Sequence, residues 1–192
     1  MNKALLFAIG WVCMVFINSS CSSIQAGIYL LSIDKEDGEN ILKKEIMARE
    51  YLETVLEKPN SYTISAYERC AVNYQIKRTK LVTHSYYVIT ETGTGVFHTI
   101  SFYGTKIAIS SEGAWAIDSD SDLASYISFL DGTNNWDVIE IYIKNGINTG
   151  ETVRNILRKI DSRITYYYND HIYDRPNVDN CNTALWETIV KR

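Results

Sequence analysis

The hydrophobic period of this chain changes near residue 60, and this change most narrowly limits the folds that it can adopt. Over 39–57, apolar residues recur at the spacing of one helix face, with Lys, Glu and Arg between them. From 61 to 143 the pattern alternates and is rich in β-forming residues, which predicts strands. Helical spacing returns over 149–167 and over about 180–191. The sequence therefore predicts an α+β domain with an antiparallel sheet packed against helices.

The alternating region divides into seven candidate strands at turn-forming residues. They are 62–68, 70–78, 83–90, 96–103, 106–109, 113–118 and 137–143. The segment 91–95, Glu-Thr-Gly-Thr-Gly, predicts a turn, so 83–103 is expected to be a β-hairpin. The segment 119–122, Ser-Asp-Ser-Asp, is expected to cap a short helix over 122–130. Its acidic spacing lacks the glycine and the late glutamate of a calcium loop.

The first residues of the chain have the three-part pattern of a secretory signal peptide. Residues 1–3 carry a positive charge, 4–17 are almost entirely apolar, and the segment that follows is small and polar. The apolar run is short for a spanning helix, which needs roughly 20 residues. We therefore expect 1–20 to be a signal peptide and 22–192 to be a single α+β domain. The alternative is an uncleaved N-terminal anchor.

Cys21 follows two small residues and resembles the lipid-bearing cysteine of the bacterial lipobox. The position three residues earlier usually holds an aliphatic side chain, whereas here it is Asn18. The alternative is cleavage by ordinary signal peptidase near Ser20 or Ser22, or after Ala26. Either route predicts export to the bacterial cell envelope, as a periplasmic protein, a lipoprotein anchored through Cys21, or a secreted protein.

Composition excludes several classes of partner and cofactor. The chain has 19 Lys and Arg against 23 Asp and Glu, a net charge of −4, with no basic run. Nucleic acid is therefore not an expected partner, because phosphate binding needs clustered Lys and Arg. No glycine-rich phosphate loop is present, and no serine has the G-x-S-x-G setting of an esterase nucleophile. The His and Cys residues lack the short spacing of a structural zinc site, so no metal or other cofactor is expected.

Two histidines far upstream of one cysteine supply the candidate chemistry. His84 lies at the start of an alternating segment, His98 lies fourteen residues later on the next candidate strand, and Cys181 lies at the start of the last helix. A thiol becomes a nucleophile when a base takes its proton and a helix N-terminus stabilises the thiolate. Asp179 opposes this effect, because a nearby negative charge raises the pKa of a thiol. His84 is therefore expected to be the base and His98 to orient it through its other ring nitrogen.

These residues resemble the circularly permuted papain-like fold of the NlpC/P60 superfamily, which includes relatives of lecithin:retinol acyltransferase and the PPPDE peptidases. Its members have a strand with a histidine in an H-x-x-I/V-Y pattern, which 84–89 resembles, and a second histidine or polar residue on the neighbouring strand. They also have an Asn-Cys pair at a helix start, as Asn180 and Cys181 form here. The aromatic residue that often follows four positions after the cysteine is Leu185 in this chain. The resemblance covers about 84–190.

The resemblance implies that 81–192 is a papain-like core with Cys181 as nucleophile, His84 as base and His98 as orienting residue. It further implies a cysteine hydrolase or acyltransferase that attacks an amide or ester carbonyl in a peptidoglycan peptide, a protein or a lipid. The alternative is a non-catalytic envelope lipoprotein or binding module of the same fold, with Cys70 and Cys181 bridged or buried. A secreted toxin or effector is a third reading, and His171 is a reserve candidate for the base.

Overall fold

The computed structural model describes residues 38–70, 83–106, 110–133, 138–141, 147–167 and 178–189, which belong to one compact unit, Glu36–Arg192. Part of the strand expected over 137–143 is present, since Ile139–Glu140 form a strand. The expected signal peptide, Cys21 and His171 lie outside the described residues, as do most of the strands expected over 70–78 and 106–109. Those expectations stay predictions. None of the helices described is long and apolar enough to cross a membrane.

The described residues form four α-helices, a short 3-10 helix (Pro59–Ser61) and seven strands. The helices are α1 (Gly38–Glu57), α2 (Asp120–Leu130), α3 (Thr149–Ser162) and α4 (Cys181–Ile189). The strands are β1 (Tyr62–Cys70), β2 (Thr83–Glu91), β3 (Phe97–Gly104), β4 (Ser110–Ile117), β5 (Ile139–Glu140), β6 (Thr165–Tyr167) and β7 (Val178–Asp179). They make one seven-stranded sheet in the order β5-β1-β2-β3-β4-β6-β7. Neighbouring strands are antiparallel except β6 and β7, so the predicted α+β class with a mainly antiparallel sheet is confirmed.

The end of one helix was predicted wrongly from the sequence. Helical spacing predicted a helix over 149–167, but α3 ends at Ser162 and the chain enters β6 three residues later. Arg163 adopts a left-handed backbone conformation, with φ of 47°, which stops the helix. The residues that follow pair with β4 instead. Because β4 is distant in sequence, the spacing of apolar residues near 165 could not predict this pairing.

Side chains of β1 and β2 alternate between two cores, as expected for strands that are covered on both faces. Ala66, Tyr87 and Ile89 belong to the larger core, which also contains buried residues of α1, α3 and α4. Tyr67 and Tyr86 belong to a smaller, aromatic core on the other face, which is closed by α2. β2 is therefore a central strand, and a side chain at its end can be buried on either face.

Gly113 of β4 lies where no side chain fits, which gives a stability prediction. A Cβ atom there would overlap Phe102 Cζ and lie 2.9 Å from the carbonyl oxygen of Ile164. Because Phe102 is a buried core residue, we expect Gly113→Ala to lower the free energy of unfolding by about 1–3 kcal/mol. Urea denaturation measures this change. Gly93→Ala is the matched control, since nothing lies within 4 Å of its Cβ position, and an equal loss in both variants would contradict the prediction.

Candidate active site

β2 and β3 pair along only part of their length. Their register runs from Thr90↔Phe97 to Tyr87↔Ile100. By contrast, β1 stays paired with β2 as far as Thr83, the first residue of β2. β4 stays paired with β3 as far as Gly104, the last residue of β3. Within the described ranges, β2 and β3 are therefore unpaired beyond Tyr87. We call this opening the β2–β3 gap.

The backbone groups that face the β2–β3 gap can be identified from the hairpin. The N–H of Glu91 donates to the carbonyl of Val96 over 2.8 Å, so it points toward β3. Alternate residues of a strand direct their backbone groups to the same edge. The N–H of Ser85 and the carbonyl of Thr83 therefore also point toward β3, into the part of the sheet where β3 has diverged.

Cys181 occupies the β2–β3 gap. Its Sγ lies 3.9 Å from the carbonyl oxygen of Thr83, and the backbone N–H of Ser85 donates to it. Asn182, the next residue, fastens the first turn of α4 to β2: its Oδ1 accepts from Ser85 Oγ over 2.6 Å, and its Nδ2 lies 3.4 Å from Thr83 Oγ1. The sulfur thus takes the position that a paired β3 backbone would otherwise fill.

Asn180 caps the helix that begins with Cys181. Its Oδ1 accepts the N–H groups of Asn182 and Thr183, each over 2.9 Å, while its own N–H donates to Thr183 Oγ1 over 2.8 Å. This reciprocal arrangement fixes the direction of the first turn. It also places Cys181 at the positive end of the helix dipole, where a thiolate is favoured.

The thiol meets the imidazole of His84 through the gap. Tyr87 OH donates to the carbonyl of Leu185, so α4 packs on the face of the odd-numbered β2 residues. His84 points to the opposite face, where its ring stacks on that of Tyr103 with centroids 4.8 Å apart. Because the sheet is open here, Cys181 of α4 reaches the imidazole without crossing a paired strand.

Each of the two groups favours the charged form of the other. Burial lowers the pKa of His84, but the negative charges of Asp122 and of the Cys181 thiolate outweigh it and raise that pKa to about 9. Burial raises the pKa of Cys181, but the charge and hydrogen bond of His84 lower it overall, with further hydrogen bonds from the Ser85 N–H and the Tyr166 hydroxyl. The site therefore favours ionisation of Cys181 beside a charged His84.

Asp122 is the third member of this site, and the sequence indicated it only as part of a helix cap. Ser119 caps α2 by accepting the N–H of Asp122 over 3.3 Å, and the Asp122 side chain turns into the sheet. Its Oδ1 lies 3.4 Å from His84 Nε2, within ion-pair distance but outside hydrogen-bond geometry. With Nε2 facing Asp122, Nδ1 is the ring nitrogen left to face Cys181.

The Asp122 carboxylate is completely buried and has three further partners. Arg69 Nε donates to Oδ1 over 2.9 Å, while Ser101 Oγ and Tyr103 OH donate to Oδ2 over 2.5 and 2.9 Å. Burial raises the pKa of Asp122, but the positive charges of His84 and Arg69, with the hydrogen bonds, lower it well below its usual range. Asp122 is thus a permanent negative charge beside His84.

His98 does not orient His84, which corrects the expectation from the sequence. In the hairpin register His98 lies opposite Ile89, and its Nδ1 lies 2.6 Å from Asp118 Oδ2. Continued along the strands, the same register places Tyr103 opposite His84, in agreement with the stacking of their rings. The side chains of His84 and His98 therefore lie on opposite faces of the sheet.

Cys70 and Cys181 are both free thiols in the structure. Cys70 is the register partner of Thr83 on the β1 side of β2, whereas the Cys181 sulfur faces the opposite edge of that strand.

Among the described residues, no group of three His, Cys, Asp or Glu side chains is placed to hold a metal ion. Comparisons of the chain with protein families, with curated proteins and with solved structures found no match.

Proposed function

We propose that this chain is a cysteine hydrolase or acyltransferase in which Cys181 attacks the carbonyl of an amide or an ester. The observation that carries the proposal is the buried contact of Cys181, at the start of α4, with the imidazole of His84. His84 is the base and Asp122 the counter-ion that orients and charges it. The chain order of a histidine on a strand and a later cysteine at a helix start supports the papain-like, NlpC/P60-type reading.

The reaction has two halves. The Cys181 thiolate forms a bond to the carbonyl carbon. The His84 imidazolium gives its proton to the leaving amine or alcohol as the carbon–nitrogen or carbon–oxygen bond of the substrate breaks, which leaves a thioester on Cys181. A water or an acceptor alcohol or amine then gives a proton to His84 and displaces the sulfur from the thioester. Since Asn180 occupies the N–H groups of Asn182 and Thr183, the N–H of Cys181 is the helix-start donor left for the oxyanion.

Export to the bacterial envelope is part of this proposal and depends on the leader sequence alone. A signal peptide over 1–20 delivers the domain to the periplasm, and lipidation of Cys21 anchors it to the membrane. Substrates in that compartment are peptidoglycan peptides, proteins or lipids with acyl groups. The chemistry needs no cofactor and no nucleic acid.

The burial of Cys181 and His84 favours a second candidate function, that of a binding module. Cys181 is 7% exposed and His84 is 5% exposed, so both side chains are enclosed in this structure. An exported binding module of the same fold would keep them as a buried charged pair that fixes α4 to the sheet. This reading predicts a thiol that does not react with an acyl donor.

An acylation assay separates the two functions. The purified chain is mixed with p-nitrophenyl acetate, and we expect a burst of p-nitrophenolate together with the mass of one acetyl group on Cys181. Cys181→Ser should abolish the burst, whereas Cys70→Ser, the matched control, should keep it. An acetyl group found only on other residues, or a burst that survives in Cys181→Ser, would leave the binding module as the better reading.

A further inference from the structure

Arg69 is a buried cation that the proposed reaction does not use. It lies on β1 as the register partner of His84, and only 3% of its surface is exposed. Its Nη1 donates to the carbonyl of Cys70 over 3.3 Å and its Nε to Asp122 Oδ1. A buried arginine is strongly unfavourable unless it is paired, so its place beside this site needs a reason.

Arg69 and His84 both lie close to one oxygen of the Asp122 carboxylate, but only Arg69 donates a hydrogen bond to it. Arg69 Nε makes a hydrogen bond of 2.9 Å to Asp122 Oδ1, whereas His84 Nε2 lies 3.4 Å from the same atom without hydrogen-bond geometry. Ser101 and Tyr103 take the other oxygen. The negative charge of Asp122 therefore acts on the imidazole, but the ring does not donate a hydrogen bond to the carboxylate.

We infer that Arg69 is a positioning residue for the proposed thiol chemistry: it fixes the Asp122 carboxylate and limits how strongly that carboxylate holds the proton of His84. This inference rests on the proposed function. A carboxylate paired with His84 alone would bind the imidazolium more tightly, and an imidazolium that cannot release its proton is a poor acid in the first half of the reaction. Arg69 also balances the charge of the buried set, which holds two cations and two anions when Cys181 and His84 are both ionised.

The charged and titratable groups around the His84 ring come from every element that packs against it. They are Arg69 of β1, Tyr86 of β2, Tyr103 of β3, Asp122 of α2 and Cys181 of α4. Burial raises the pKa of Tyr86 well above its usual value, so this hydroxyl is neutral in the relevant range. Arg69 is thus the cation in this set whose removal changes the balance around His84 without removing a reacting group.

The test is the pH dependence of Cys181 alkylation by iodoacetamide in the native chain and in Arg69→Gln, Arg69→Lys and Arg158→Gln. In Arg69→Gln, the Asp122 carboxylate pairs with His84 alone, so we expect the midpoint of the His84 ring titration, followed by NMR, to move upward by about 0.5–1 pH unit. The loss of a positive charge should also move the alkylation midpoint of Cys181 upward and lower the alkylation rate at pH ~6 about three- to tenfold. Arg69→Lys keeps the charge and should restore the midpoint. Arg158→Gln removes an exposed arginine of α3 and should match the native chain.

A measurement on the unchanged protein covers the case in which Arg69→Gln does not fold. The Arg69 Nε–H resonance, followed by NMR, should shift with the same apparent pKa as the His84 ring, because both contact Asp122 Oδ1. A resonance that ignores the His84 titration, or a folded Arg69→Gln with the native midpoint, overturns the inference. An ordinary thiol pKa in the native chain would instead overturn the proposed function, so the two failures are distinguishable.

Discussion

His84→Gln is expected to abolish the reactivity of Cys181 toward iodoacetamide at neutral pH while leaving the fold intact. Once the imidazole is gone, burial is the main influence on the thiol, and burial raises its pKa. Each unit of that rise lowers the thiolate population about tenfold below the midpoint. Alkylation measured across pH by mass spectrometry should therefore show the Cys181 midpoint displaced to higher pH. The Asp122–Arg69 pair stays complete in this variant, which favours retention of the fold.

Acyl transfer should respond to the same substitution through the loss of an acid and base. We expect the rate of p-nitrophenyl acetate cleavage to fall by roughly 10²–10⁴-fold in His84→Gln. With an amide substrate, whose leaving amine needs a proton, the rate in the native chain should also fall as pH rises through about 9, because the imidazolium then loses its proton. His98→Gln is the matched control, since His98 pairs with Asp118 away from the site. Equal losses in the two histidine variants would contradict the assignment of the base.

The elements that the sequence predicted well are those set by local chemistry. The helical spacing of α1, the hairpin turn between β2 and β3 and the start of α4 at Cys181 each follow from residues close in sequence. β6 was missed because Ile160 and Ile164 continue the helical stripe into the segment that forms it. Only the left-handed Arg163 and the pairing with β4 redirect that segment into the sheet.

The candidate site shows the same division between local and long-range information. A histidine near a strand start and a cysteine at a capped helix start are visible in the sequence, and the structure brings His84 and Cys181 together. The hairpin register is not visible: a shift of one residue exchanges the faces of the sheet, which is why His98 could not be placed. Asp122 carries no local signal beyond its place in a helix cap, since its partners come from distant strands.

Asp122→Asn is expected to lower the free energy of unfolding more than any other substitution considered, by about 3–5 kcal/mol. The amide cannot neutralise Arg69, which would lose the buried carboxylate that it pairs with. Asp161→Asn is the matched control, because Asp161 is exposed and its pair with Arg49 lies at the surface. Surface pairs contribute about 0–1 kcal/mol, so the two aspartates should differ clearly in guanidinium denaturation.

The pH dependence of stability gives this substitution a second signature. The lowered pKa of Asp122 stabilises the native chain above 3.8, the ordinary pKa of an aspartate, and this stabilisation is lost as pH falls below 3.8. The raised pKa of His84 stabilises the fold fully below 6.5, and this stabilisation is lost as pH rises through about 9. Because Asp122 is the largest influence that raises the His84 pKa, Asp122→Asn should flatten the alkaline side of the curve. An unchanged decline between pH 6.5 and 9 would show that the imidazolium is held by other groups.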